Sequence, residues 1–207
     1  MDWNEVEKRL KMAFQIFGLQ DKDLFIAPPA KPLERPAATR LAMYLQVLFP
    51  DYYVDCEYGR YESNPKNLDM LTLSDSAKTA LRDEGLTDAF DNWKKKERTK
   101  LEQAEEKQKE QKKQKEVKLI VPDIVIHRRG QQENNLLYLE AKPLSEWDDE
   151  DSVKLSLVTS GVKVGDKDLK YDYGLQVNLQ LHRTMNQAEA RLWVGGRTTK
   201  ADLRFPF

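Results

Sequence analysis

KLIVPDIVIHRRGQQENNLLYLEAK, residues 118–142, decides the fold of this chain. Leu119 to His127 and Leu136 to Ala141 are almost entirely apolar or β-branched, and the stretch between them, Arg128 to Asn134, is polar and holds Gly130. Two such runs around a Gly-containing polar stretch read as two strands joined by a turn. A hairpin centred near Gln131 and Gln132 sets Asp123 opposite Glu140 and puts Lys142 two places further along the same face. A carboxylate inside an apolar strand is costly unless it is paired, hydrogen-bonded or bound to a cation. The plain reading is a buried ion pair. However, two adjacent carboxylates repel and one lysine leaves the site net negative, a situation that a divalent metal with a preference for oxygen relieves.

With 207 residues and 40% hydrophobic content, the chain suffices for one core, so a single domain spanning 1–207 is expected, with a helical insertion at 62–117 inside it. The formal charge of −1 gives no overall electrostatic footprint, and any nucleic-acid binding must use local basic patches. A lone cysteine, Cys56, excludes an intramolecular disulfide framework and a multi-cysteine zinc site, and its apolar strand setting suggests a small core residue. No N-terminal hydrophobic signal core and no bilayer-spanning apolar run occur, so a cytoplasmic protein without a membrane partner is expected.

Upstream of the hairpin, Trp3, Val6, Leu10, Ala13, Phe14 and Phe17 recur at helical spacing, Asp2 and Glu5 suit a capping box, and Gly18 is placed to end the helix. Its aromatics serve the core or, alternatively, a second copy or protein partner. A proline-rich joint, Ala27 to Pro36, leads to a second helix from about Leu33 to Phe49, with Glu34, Ala38, Leu41, Leu45 and Leu48 on one stripe. On pattern alone, Glu34 is as much a solvated first-turn acid favoured by the helix dipole as a site residue. Tyr52 to Tyr58 reads as a strand with Val54, Cys56 and Tyr58 on one face and Tyr53, Asp55 and Glu57 on the other. Glu57 is a cleft candidate, as is Arg60, although an exposed pair between them is the simpler account.

Within the insertion, Ser74 caps a short helix ended by Gly85, and a charged helix begins near Asp88. From Lys94 to Lys118 eleven Lys or Arg face six Glu, a surplus of five positive charges with hardly any apolar residue, so this arm should project into solvent. It is a solvated helix laced with i,i+4 pairs, a grip for a phosphate backbone, or a surface for a protein partner. Beyond Lys142, Asp148 to Asp151 load a helix start with acids and read as capping, and Val162 to Lys170 reads as a turn-rich link. Tyr173 to Leu181 and Ala190 to Val194 read as the last strands. His127 and His182 stand apart and read as packed or exposed rather than metal-bound.

Pro122-Asp123, sixteen intervening residues and Glu140-Ala141-Lys142 resemble the signature of the PD-(D/E)XK nuclease superfamily. CEYGR (56–60), PDIVIHRRG (122–130), LLYLEAK (136–142) and YDYGLQVNL (171–179) resemble small bacterial and phage members of it, a likeness covering roughly residues 33–60 and 117–181. The resemblance implies an α/β restriction-endonuclease-like core, a mixed sheet flanked by helices. It implies that Asp123, Glu140 and the backbone carbonyl of Ala141 hold one or two Mg²⁺ ions, with Mn²⁺ able to substitute. Glu34 would complete the site and Lys142 would position or deprotonate the attacking water. The expected activity is metal-dependent endonuclease cleavage of phosphodiester bonds, with DNA as the nucleic-acid partner. The alternatives are a non-catalytic nucleic-acid or protein-binding module on the same fold, or a regulatory or defence protein of phage–bacterial conflict.

Overall fold

The computed structural model describes residues 1–21, 34–56, 71–111, 122–129, 135–142, 147–164, 167–178 and 187–206. Helix α1 (Trp3–Asp21) starts as its sequence predicts: the Glu5 amide donates to Asp2 Oδ1 at 3.0 Å, and Val6, Leu10, Ala13, Phe14 and Phe17 form the buried stripe. Gly18 does not end the helix. It is buried within it, and the last turn continues because helix α2 (Glu34–Leu48) holds the buried Asp21 carboxylate through the Tyr44 hydroxyl and, at 3.2 Å, Arg40 Nε. Ala38, Leu41 and Leu45 of α2 are buried as the periodicity predicts, whereas Leu48 is half-buried; the Glu34 side chain lies outside the described residues. Strand β1 (Tyr53–Cys56) turns Val54 and Cys56 to the core, and Glu57, Tyr58 and Arg60 also lie outside the described residues.

The insertion contributes strand β2 (Leu71–Leu73), helix α3 (Asp75–Asp83) and helix α4 (Thr87–Gln111). Ser74 Oγ caps α3 by accepting from the Ala77 amide at 3.1 Å, and Gly85 takes the left-handed conformation, φ +68°, that a side chain resists. The root of α4 does not project as its composition suggests. Phe90 and Trp93 are buried in the core, Glu97 is buried too, and Lys96 forms an ion pair with Glu150 across 54 positions of sequence. Tertiary contact has therefore captured the first turns of a helix whose sequence is almost wholly charged and polar only afterwards.

Strands β3 (Ile124–His127) and β4 (Asn135–Lys142) form the predicted hairpin, with Ile124 beside Leu139, Val125 beside Tyr138 and Ile126 beside Leu137. Extended by one place, that register sets Asp123, at the bend before β3, opposite Glu140. Helix α5 (Asp149–Ser160) follows, then β5 (Val162–Val164), β6 (Lys167–Leu169), β7 (Tyr171–Asn178), β8 (Gln187–Val194) and β9 (Arg197–Pro206). The stretch after α5 is not a turn-rich link: β5 pairs with β2 on one side and β6 on the other in a small antiparallel sheet. The chain also does not finish at Val194. Gly195 and Gly196, at φ +58° and +85°, make the tight turn that positive φ allows, and β9 returns along β8.

The main sheet runs β1-β3-β4-β7-β8-β9, mixed because β4 and β7 are parallel and joined by α5, while its other pairs are antiparallel. Alternation along the strands splits the core between its faces. Leu137, Leu139, Leu175 and Val177 meet α1 and α2 on one side; Val125, Tyr138 and Trp193 meet α5, α3 and the root of α4 on the other. No helix among the described residues is long and apolar enough to cross a membrane.

Gly196 is the tightest approach between these layers. A Cβ there would stand 2.4 Å from Ala80 Cβ and 2.8 Å from Ser160 Cβ. Gly196→Ala is expected to cost about 2–3 kcal/mol through overpacking and left-handed strain together, against about 1–2 kcal/mol for Gly195→Ala, where nothing lies within 4 Å. Paired denaturant titrations check the difference, and equal losses would contradict it.

Candidate active site

Asp123 sits at the bend immediately before β3, and its Oδ2 accepts the Ala141 amide at 2.7 Å. This hydrogen bond ties the first acid to the residue after the second, so Asp123 and Glu140 come together at one end of the hairpin as the sequence predicts. Glu140 shares its face of the sheet with Tyr138 and Lys142, the face covered by α5. Only 1% of it is exposed, and both its donors converge on Oε1, the Tyr138 hydroxyl at 3.0 Å and Lys154 Nζ at 3.2 Å.

Lys142, on the same face as Glu140 and among the charges acting on it, also reaches a third carboxylate. Its ammonium lies 3.4 Å from Asp151 Oδ2, an ion-pair distance without an aligned hydrogen bond, and Lys154 Nζ takes the other oxygen of that carboxylate at 2.9 Å. Asp151 is thus not the capping residue that its place in an acidic helix start suggests. Asp148 does that work, its Oδ1 accepting the Glu150 amide at 2.8 Å, while Asp151 lies farther along and faces the sheet. The sequence held a signal for this: Val153, Leu155, Leu157 and Val158 leave α5 without a solvent face, and a lysine and acid three apart on a buried helix are placed to pair.

Gln176 is a second residue that sequence reasoning missed. It stands beside Glu140 on β7, is fully buried, and fastens the start of α5 by donating Nε2 to the Asp148 carbonyl at 3.0 Å and accepting from Ser152 Oγ at 3.3 Å. The site therefore rests on the β4–α5–β7 unit, with Asp123 supplied from β3's entry.

The charges do not balance. Among the described residues three carboxylates, Asp123, Glu140 and Asp151, stand with two ammonium groups, Lys142 and Lys154. Burial pushes the Glu140 carboxyl well above the usual carboxylate range; Lys154 opposes that rise, Asp151 and Asp123 add to it, and Lys142 again opposes it. Burial also works against the Lys154 ammonium, but Glu140 and Asp151 outweigh it and raise its pKa. Burial, then Glu140, pushes the Tyr138 phenol well up, so it remains a donor.

Among the described residues no three His, Cys, Asp or Glu side chains gather as a metal cage. Asp123 and Glu140 make a two-carboxylate, all-oxygen donor set with surplus negative charge. That set fits Mg²⁺, which keeps several waters and takes one or two carboxylates alongside substrate phosphate, better than ions that need a full protein cage. Glu34, Glu57 and Arg60 cannot be placed relative to it, since their side chains lie outside the described residues.

The far end of the hairpin holds a separate cluster. Asp55 is not a wet surface residue: His127 Nε2 lies 2.8 Å from its Oδ2, Arg129 Nη2 2.7 Å from its Oδ1, and its side chain is 19% exposed. Burial works against that charge, but Arg129 and His127 outweigh it and hold the carboxyl below the usual range. His127 is packed, one of the two placements its strand position leaves open; His182 lies outside the described residues. Compared with models of known protein families, with curated proteins and with solved structures, the chain finds no match.

Proposed function

We propose that the protein is a metal-dependent nuclease hydrolysing phosphodiester bonds, with DNA as its expected substrate. The observation that carries this is the convergence of Asp123 and Glu140 at the end of one hairpin, with two ammonium groups in the same cluster. With the β2–α3–α4 insertion and the short β5 and β6 set aside, the order α2, β1, β3, β4, α5, β7, with β7 parallel to β4, supports the resemblance to the restriction-endonuclease-like core. Mg²⁺, or Mn²⁺ in its place, would be held by Asp123, Glu140 and the Ala141 carbonyl; when bound it lowers the pKa of a water and stabilises developing phosphate charge. The Ala141 amide fixes the Asp123 carboxylate, and the Tyr138 hydroxyl with Lys154 fixes Glu140. Lys142, 28% exposed, is the ammonium able to reach a phosphate or an attacking water.

The test is to incubate the purified chain with single- and double-stranded DNA and RNA, with Mg²⁺ or Mn²⁺ and with chelator. Cleavage that appears only with metal is expected, and no cleavage under any condition would sink the enzyme reading. Lys142→Met keeps the apolar stem and removes the charge. It should lower the cleavage rate by about two to three powers of ten with little change in substrate affinity, as removal of one electrostatic stabiliser does.

One observation favours a second reading, a non-catalytic binding module: Glu140 already has Lys154 and Tyr138 as partners. In that case Lys142→Met alters affinity alone. The charged arm bears on both readings. Deleting its outer part, residues 101–115, beyond the buried Trp93 and Glu97, should leave cooperative unfolding intact. If the arm grips phosphates, the deletion should also flatten the dependence of log K on log salt; an unchanged slope would assign it to a protein partner.

A further inference from the structure

Lys154 stands between two of the site's carboxylates, those of Glu140 and Asp151. Its ammonium is 3.2 Å from Glu140 Oε1 and 2.9 Å from Asp151 Oδ1, with its side chain 16% exposed and the two acids 2% and 1% exposed. The Tyr138 hydroxyl donates to the same Oε1 at 3.0 Å. An ionised carboxylate oxygen offers about two lone-pair positions, so Oε1 is saturated, while Oε2 receives neither donor.

A carboxylate that bridges two metal ions through its two oxygens gives one to each, and here one oxygen already accepts from an ammonium and a hydroxyl, leaving it no lone pair for a second ion. We propose that Lys154 is a resident cation standing where a second metal ion would bind, so that the site takes a single divalent, oxygen-preferring ion on Asp123 and Glu140 Oε2. This rests on the metal-dependent reading above. Charge points the same way: among the described residues three carboxylates and two ammonium groups leave one negative charge, which a single divalent ion turns into one positive charge. The single negative charge of a phosphodiester then balances the site, whereas a second ion would leave it strongly positive. Asp151 keeps the ammonium in place by spanning both lysines, with Lys142 3.4 Å from its other oxygen.

Mn²⁺ titrated into the full chain, with unbound ion counted by electron paramagnetic resonance, tests this. The wild-type chain and Lys154→Arg, which keeps a cation at the position, should each bind one ion. Lys154→Gln should bind two, and Mn²⁺ should raise its melting temperature more than it raises the wild type's, because the ion replaces the missing ammonium. Two ions on the wild type overturn the proposal, as does a Lys154→Gln chain that binds one ion, or that stays unfolded in saturating Mn²⁺. The two readings fail separately. A wild-type chain that binds one ion and cleaves no nucleic acid removes the nuclease reading and leaves the single-ion site standing, whereas cleavage with two ions bound does the reverse.

Discussion

Asp123→Asn is expected to lower metal-dependent cleavage by about three powers of ten or more while the chain stays folded. The amide oxygen can still accept the Ala141 N–H that Asp123 Oδ2 accepts at 2.7 Å, so the local geometry survives and the lost property is the charge that a metal requires. Stability then moves in a direction that follows from Glu140. Its folded-state pKa lies above the ordinary carboxylate value, so the stability it contributes is fully present below that value and is lost as pH rises through the raised one. Asp123 is one of the charges raising it. Melting curves in chelator should therefore show Asp123→Asn losing less stability than wild type as pH rises from mildly acidic upward. Cleavage at the wild-type rate would end Asp123's role as a ligand, and a variant that fails to fold would show that the carboxylate is structural.

Lys154→Met should be the most destabilising single change in the site, costing about 3–5 kcal/mol, because it strands two buried carboxylates without their shared cation. For a chain of this size that corresponds to a fall of roughly 10 °C in melting temperature. Lys142→Met removes the same charge from a side chain that is 28% exposed and should cost about 1 kcal/mol or less. The two lysines thus separate by readout, one through melting temperature and the other through rate. Equal losses of stability would contradict the distinction.

What the sequence disclosed of this site depended on how far each signal lay from its partner. The hairpin was legible because two apolar runs flank a polar turn, and a period of two fixes which side chains share a face; Asp123 and Glu140 follow from that alone. Asp151 was hidden because Asp148, Asp149 and Glu150 precede it, and acids at a helix start have a sufficient local explanation in the dipole. Only the sheet that buries α5 turns Asp151 and Lys154 inward. The small sheet was hidden for another reason: strands of three residues, such as Leu71–Leu73 and Val162–Val164, are too short to display a period. By contrast, Gly195-Gly196 did announce the β8–β9 hairpin, and the final strand could have been read from it. Phe90 and Trp93, just ahead of a lysine-rich stretch, were likewise visible marks that the root of α4 is anchored.

The position of β1 at the rim of the sheet bears on how the chain folds. Its partner β3 lies far along the chain, with the whole insertion between them, whereas the hairpin and the α5 crossover that build the ion cluster lie within one contiguous stretch, residues 122–178. Short separations close early, and the entropy of closing the long one is recovered only when its strand docks. The half that carries the ion cluster should accordingly form first, with β1 and the helices packed beside it joining later. Because closure entropy grows only logarithmically, doubling the length of the insertion would add only about 0.6 kcal/mol. The rim strand is therefore a place where this fold can absorb additional sequence without disturbing its chemistry.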